Sequence, residues 1–151
     1  MSIVSIGELL DRFSNFEDKL ESYYAGLRDT TENSGVRLLT YYLSKHRQHL
    51  KEVERGFSSS DFNKLSQVEL KYDLEFNVER DFHVINRPLK EITGEELLKA
   101  AADYDEKLIH WYEKILLQPI GKDGMILFQS LLNREKRDIV MLKKMLAMNY
   151  F

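Results

Sequence analysis

The chain of 151 residues contains no cysteine. Disulfide bonds, thiolate metal ligands and iron–sulfur clusters are therefore excluded. It also lacks an apolar run of about 20 residues, which a membrane-spanning helix requires. The opening stretch MSIVSIGELLDRF has neither the basic flank nor the apolar core of a secretory signal. We therefore expect a cytoplasmic protein with no membrane association.

No excess of one charge is present either. The chain has 22 lysine and arginine residues against 25 aspartate and glutamate residues, for a net charge of −3. A nucleic-acid-binding domain usually carries a basic face, and the sequence predicts none. Phosphate-cradling glycine motifs are also missing. The hydrophobic fraction of 43% is sufficient for one core, so we expect a single domain over residues 1–151.

Apolar residues at helical spacing predict an all-α protein. The four expected helices, A to D, cover about 6–29, 35–56, 94–117 and 124–148. Ser5 and Thr93 each precede a glutamate by three residues, which is a helix-start pattern, and Ser34 and Asp123 are the expected caps of helices B and D. Because the A–B and C–D links are short, each pair is predicted to form an antiparallel hairpin.

The connector between helices B and C, about 57–92, is long and contains VELKYDLEFNV at 68–78. Apolar and polar residues alternate there, which predicts an extended strand. Eleven extended residues reach about 36 Å, the length of a helix of about 24 residues. The connector can therefore cross the full height of a four-helix bundle and make helices B and C parallel.

The two predicted hairpins resemble each other in sequence. FEDKLESYY at 16–24 matches YDEKLIHWY at 104–112 with an offset of 88 residues, and LLTYYLSKHRQHL at 38–50 matches LFQSLLNREKRDI at 127–139 with an offset of 89. Apolar positions persist, whereas the inner polar positions exchange acids with histidines. The sequence therefore predicts two related halves.

Six of these polar residues are expected at one level of the core. Four lie twelve residues after their predicted caps, about 18 Å along each helix, and two lie one turn further. They are Glu17, His46, His49, Asp105, Glu135 and Asp138. Four carboxylates crowded in a core need compensating positive charge. Carboxylate oxygen and imidazole nitrogen suit iron, manganese or zinc, so the pattern predicts a metal site.

This pattern resembles the ferritin-like superfamily, and within it the rubrerythrin-like four-helix proteins. Their motif is a glutamate on the first helix and Glu-x-x-His on the second, repeated on the third and fourth helices. The resemblance covers helices A to D but not the crossover. It implies a ferritin-like bundle that binds one or two iron ions and, if it is an enzyme, an oxidoreductase reacting with oxygen or peroxide. A cysteine-ligated electron-transfer domain is absent, so an external electron donor is implied.

Two positions depart from the family motif. His46 stands where the family has a bridging glutamate, and Asp138 stands where it has a histidine. One carboxylate bridge is lost, and both imidazoles come from helix B. These departures leave open an asymmetric metal pair, a single-metal site or a site that has lost its metal. No catalytic residue is identified.

The alternative is a metal-free bundle that acts as an interaction or scaffold protein. Ion pairs of His46 and His49 with Glu17 and Glu135 would then hold its polar centre. If the strand at 68–78 lay alone on the bundle, it would expose an unpaired edge. Pairing with the same strand of a second copy would satisfy that edge, so we expect a homodimer.

Overall fold

The computed structural model describes residues 2–46, 48–72 and 78–148, most of which are helical. The helices are α1 (Ile6–Thr30), α2 (Ser34–His46), α3 (His49–Glu54), α4 (Ser59–Ser66), α5 (Val78–Asp81), α6 (Gly94–Leu116) and α7 (Gly121–Ala147), with a 3₁₀ turn at Leu89–Glu91. Two short strands, β1 (Ser2–Ser5) and β2 (Glu69–Tyr72), form one antiparallel sheet. The predicted all-α class is therefore confirmed, with a small sheet added. Across these ranges, no helix has the combination of length and apolar character needed to cross a membrane.

Predicted helices A and C correspond closely to α1 and α6. Ser5 Oγ accepts a hydrogen bond from the backbone N–H of Glu8 at 3.1 Å, and Thr93 Oγ1 accepts one from Glu96 at the same distance. Each bond satisfies one of the N–H groups that a helix start leaves open. The two helix starts were therefore predicted correctly.

Predicted helix B is divided into two. Helix α2 ends at His46 and α3 begins at His49, with Gln48 donating its N–H to the carbonyl of Lys45 at 3.3 Å. The cap of α2 is Asn33 rather than Ser34, because Asn33 Oδ1 accepts from the N–H groups of residues 35 and 36 at 2.8 and 3.2 Å. The break places the two histidines at the ends of different helices.

Predicted helix D begins earlier than expected. Helix α7 starts at Gly121, and Asp123 lies within its first turn instead of capping it. Gly121 has a φ of 80°, a left-handed conformation that glycine adopts without strain. The chain therefore reverses at the glycine, and α7 gains a further turn at its start.

The crossover differs most from the prediction. Strand β2 covers only Glu69–Tyr72 of the predicted 68–78, residues 73–77 lie outside the described ranges, and Val78 begins α5. The predicted strand end at 78 is therefore wrong. Helix α4 and strand β1 were not predicted. β1 pairs with β2 in the register Ile3 to Lys71 and Val4 to Leu70, so the described part of the crossover strand does not lie alone.

The helices pack in two connected pairs. A link of four residues joins α6 to α7, and these two helices lie along each other; α1 packs on α2. The pairs meet through contacts of α2 with α6 and of α3 with α7, and α4 bridges α1 and α7. Their inward apolar side chains form one core cluster. The polar residues of interest lie on these inward faces.

Candidate metal centre

Four of the six predicted site residues are buried, one on each of α1, α2, α6 and α7. They are Glu17, His46, Asp105 and Glu135, and none is more than 8% exposed. Each occupies the inner face because it follows the helical spacing of its apolar neighbours. Burying an ionisable side chain is costly unless its charge is compensated. The burial of three carboxylates therefore requires a physical explanation.

The other two predicted residues, His49 and Asp138, lie closer to the surface. Their side chains are 16% and 17% exposed, and His49 Nε2 contacts Asp138 Oδ2 directly. His46 Nδ1 lies 3.6 Å from the same carboxylate oxygen. The rings of His46 and His49 are nearly parallel, with centroids 6.0 Å apart. The Asp138 carboxylate of α7 therefore lies beside both imidazoles, one at the end of α2 and the other at the start of α3.

Tyr42 packs beside this group. Its ring packs edge-on against His46, with centroids 4.7 Å apart. Burial raises the pKa of Tyr42, and the negative charges of Asp138 and Asp105 raise it further. The phenol therefore lies within the electric field of both aspartates. The sequence signal for this role was the position of Tyr42 one turn before His46.

The internal repeat is visible in direct contacts between equivalent residues. Phe16 stacks on Tyr104 with ring centroids 4.9 Å apart, and these residues precede Glu17 and Asp105. His49 and Asp138, which also correspond in the repeat, touch each other. Two pairs of positions that correspond in the predicted repeat are therefore in contact.

No lysine or arginine is buried in the described parts of the chain. The buried polar residues, among those that the structure describes, are acids, threonines and His46. The remaining buried acid, Asp81, lies elsewhere and is paired with Arg80 at 3.0 Å and Lys107 at 2.8 Å. Asp81 shows that exposed cations can reach a buried acid, and imidazolium, bound protons or an ion are further sources of positive charge for the inner acids.

The side chains are not arranged as a finished coordination site. Over residues 2–46, 48–72 and 78–148, no three His, Asp or Glu side chains form a group that could hold a metal ion. The contacts join His46, His49 and Asp138. Glu17 and Glu135 are buried as well. The donor types thus suit a cation that prefers oxygen and nitrogen, although the distances are not those of bound ligands.

Comparison with known proteins adds no relative. No protein-family model matches the chain, and neither a curated protein nor a solved structure matches it significantly.

Proposed function

We propose that this chain is a ferritin-like non-haem metal-binding protein whose ion lies among the buried carboxylates and histidines. The observation that carries the proposal is the burial of Glu17, Asp105 and Glu135 together with His46. A divalent or trivalent cation would supply positive charge to these buried carboxylates.

Iron suits this mixed donor set best within the ferritin-like resemblance, and manganese and zinc prefer the same atoms. Glu17, His46, Asp105 and Glu135 would hold the ion, with His49 and Asp138 beside them. Bound iron would supply redox chemistry with oxygen or peroxide, and an external donor would return the electrons. The chain itself contributes buried carboxylates among apolar helices, and Tyr42 as a hydroxyl whose pKa two aspartates raise.

Metal analysis of the purified protein tests this proposal. Protein from iron-supplemented cells, prepared without chelators, should hold one to two ions, and the variant Glu135→Gln should bind iron at least about tenfold more weakly. Glu106→Gln is the matched control, because Glu106 is exposed on α6 and paired with Lys143. A parent protein that binds no transition metal, before or after addition of iron(II), manganese(II) or zinc(II), would refute the proposal.

A second candidate function is a metal-free interaction or scaffold protein. The contact of Asp138 with both imidazoles favours it, because two histidines and a carboxylate can compensate one another without an ion. In this case iron would leave the melting temperature unchanged.

The homodimer through residues 68–78 belongs to this candidate. β1 already occupies one side of the described part of that strand, and residues 73–77 lie outside the described ranges.

A further inference from the structure

We propose that the outer edge of β1, rather than the strand at 68–78, is an interaction surface for a second copy of this chain. The two β1 strands would pair antiparallel about a two-fold axis and join two small sheets into one of four strands. The proposal is independent of the metal site, because it rests on backbone groups at the edge of β1 that faces away from β2.

The orientation of the edge follows from Gln118. The N–H of Lys71 donates to Gln118 Oε1 at 2.8 Å, and Gln118 Nε2 donates to the carbonyl of Lys71 at 2.6 Å. The backbone groups of Lys71 therefore point away from β1. In an antiparallel pair, residues directly opposite each other either both face the partner strand or both face away. Ile3 lies opposite Lys71, so its own N–H and C=O point outward from β1.

The next bond along the ladder agrees with this assignment. Ile6 donates its N–H to the carbonyl of Val68 at 2.8 Å, so the even-numbered residues of this segment face β2. Ile3 and Ser5 are then the residues whose N–H groups face the other way. These are the donors that an added strand would use.

The two edges of the sheet are protected unequally. Gln118 covers the β2 edge at Lys71 with an amide that acts like a peptide group. The sheet contains only β1 and β2 in the part of the chain that the structure describes, so no strand covers the β1 edge. Proteins usually protect such an edge with a charge, a proline or a bulge. The strand Ser-Ile-Val-Ser has neither a charge nor a proline.

A second copy is the occupant that this strand fits. With the axis at Ile3, each copy exchanges its outward N–H and C=O with the same groups of its partner. Because the strand carries no charged side chain, the two copies do not repel each other where they pair. Ile3 is 65% exposed, and pairing with the axis at Ile3 would remove part of its side chain from water.

The expected dimer is weak because the paired segment is short. A stable interface usually buries about 1,200–2,000 Å² in total, more than two four-residue strands provide. We therefore expect a concentration-dependent equilibrium in sedimentation velocity, with the mass rising from 17.9 kDa toward twice that value.

Three variants test the surface. Ile3→Pro removes the outward donor without removing a bond to β2 and should be monomeric. Ile3→Lys places like charges opposite each other at the axis and should shift the equilibrium at least about tenfold toward monomer. Gln118→Ala opens the β2 edge instead and should remain dimeric. Circular dichroism should show the same helical content in all three.

Two results would overturn the proposal. One is a parent protein that stays monomeric at the highest concentration measured. The other is a dimer that persists undiminished in Ile3→Lys, whose exposed side chain leaves folding unaffected even if Ile3→Pro proves unstable. The masses are to be measured on metal-free protein as well as on protein supplied with iron. A failed metal site and a failed dimer are then separate results.

Discussion

Phe16 and Tyr104 stack face to face, with ring centroids 4.9 Å apart and planes within 6°, although 88 residues separate them. The same offset relates Glu17 to Asp105, the next residue in each helix. The stack brings α1 and α6 together beside these two acids. The polar centre is therefore shared by both halves, and neither half could form it alone.

The stack predicts a measurable coupling energy. Phe16→Ala and Tyr104→Ala should each lower the free energy of unfolding by about 3–5 kcal/mol, since both side chains are buried. The double variant should lose less than the sum, by about 0.5–1.5 kcal/mol, because the ring–ring contact is lost only once. Urea denaturation of the four proteins gives this value. Strict additivity would show that the rings do not stabilise each other.

The sign of a stability change at Glu135 distinguishes the two candidate functions. If the buried carboxylates form a metal site, Glu135→Gln should stabilise the metal-free protein by about 1–3 kcal/mol. The reason is that it removes a like charge from the core. The increase in melting temperature on addition of iron(II) should disappear. If ion pairs hold a metal-free centre, the same variant should be less stable than the parent.

Scanning calorimetry with and without iron(II) under anaerobic conditions measures both effects. Glu106→Gln provides the control, because Glu106 pairs with Lys143 on the protein surface. We expect this control to change the melting temperature little and to keep the response to iron. An equal loss of the response in both variants would show that iron acts at a site other than the buried centre.

Features of the fold that depend on neighbouring residues could be predicted from the sequence, and those that depend on distant residues could not. Ser5 and Thr93 were predicted correctly as caps because a cap bonds to an N–H three residues away. The burial of the inner acids followed from helical spacing. Strand β1 was missed because its structure depends on pairing with Glu69–Tyr72, far along the chain. The break between α2 and α3 carries no glycine or proline, so no local signal marked it.

The start of α7 yields a prediction about glycine. Gly121 has a φ of 80°, and a Cβ added there would meet no atom within 4 Å. Gly121→Ala should therefore cost only the backbone strain of a left-handed residue, about 1–2 kcal/mol. Gly121→Asn should cost less, because asparagine tolerates this conformation.

Gly124, three residues later in the chain, tests a different cause of lost stability, which is steric crowding. A Cβ there would lie 3.0 Å from the side chain of Ile120, which is buried. Gly124→Ala should be destabilising through crowding by the Ile120 side chain. Ile120→Ala removes Cγ1 and Cδ1, so the double variant should lose less stability than the sum of the two single losses. Urea midpoints measure both series. If the two losses were additive, crowding would not be the cause.

Tyr23 predicts how stability falls in alkaline solution. Burial raises its pKa from 10.0 to about 12, and Arg87 lowers the pKa by a smaller amount. The folded protein thus holds the phenol proton more tightly than the unfolded chain does. The stability that this provides is complete below pH 10 and is lost as the pH rises from about 10 through about 12. Tyr23→Phe should remove this component, so its free energy of unfolding should decline less steeply over that range.

The variant should differ little from the parent at pH 8, since the Tyr23 hydroxyl has no hydrogen-bond partner among the residues that the structure describes. Tyr41→Phe is the control, because Tyr41 is 54% exposed; its stability should follow the parent at every pH. Urea denaturation at intervals from pH 8 to pH 11.5 gives the three profiles. Parallel profiles for Tyr23→Phe and the parent would mean that the buried phenol does not control alkaline stability.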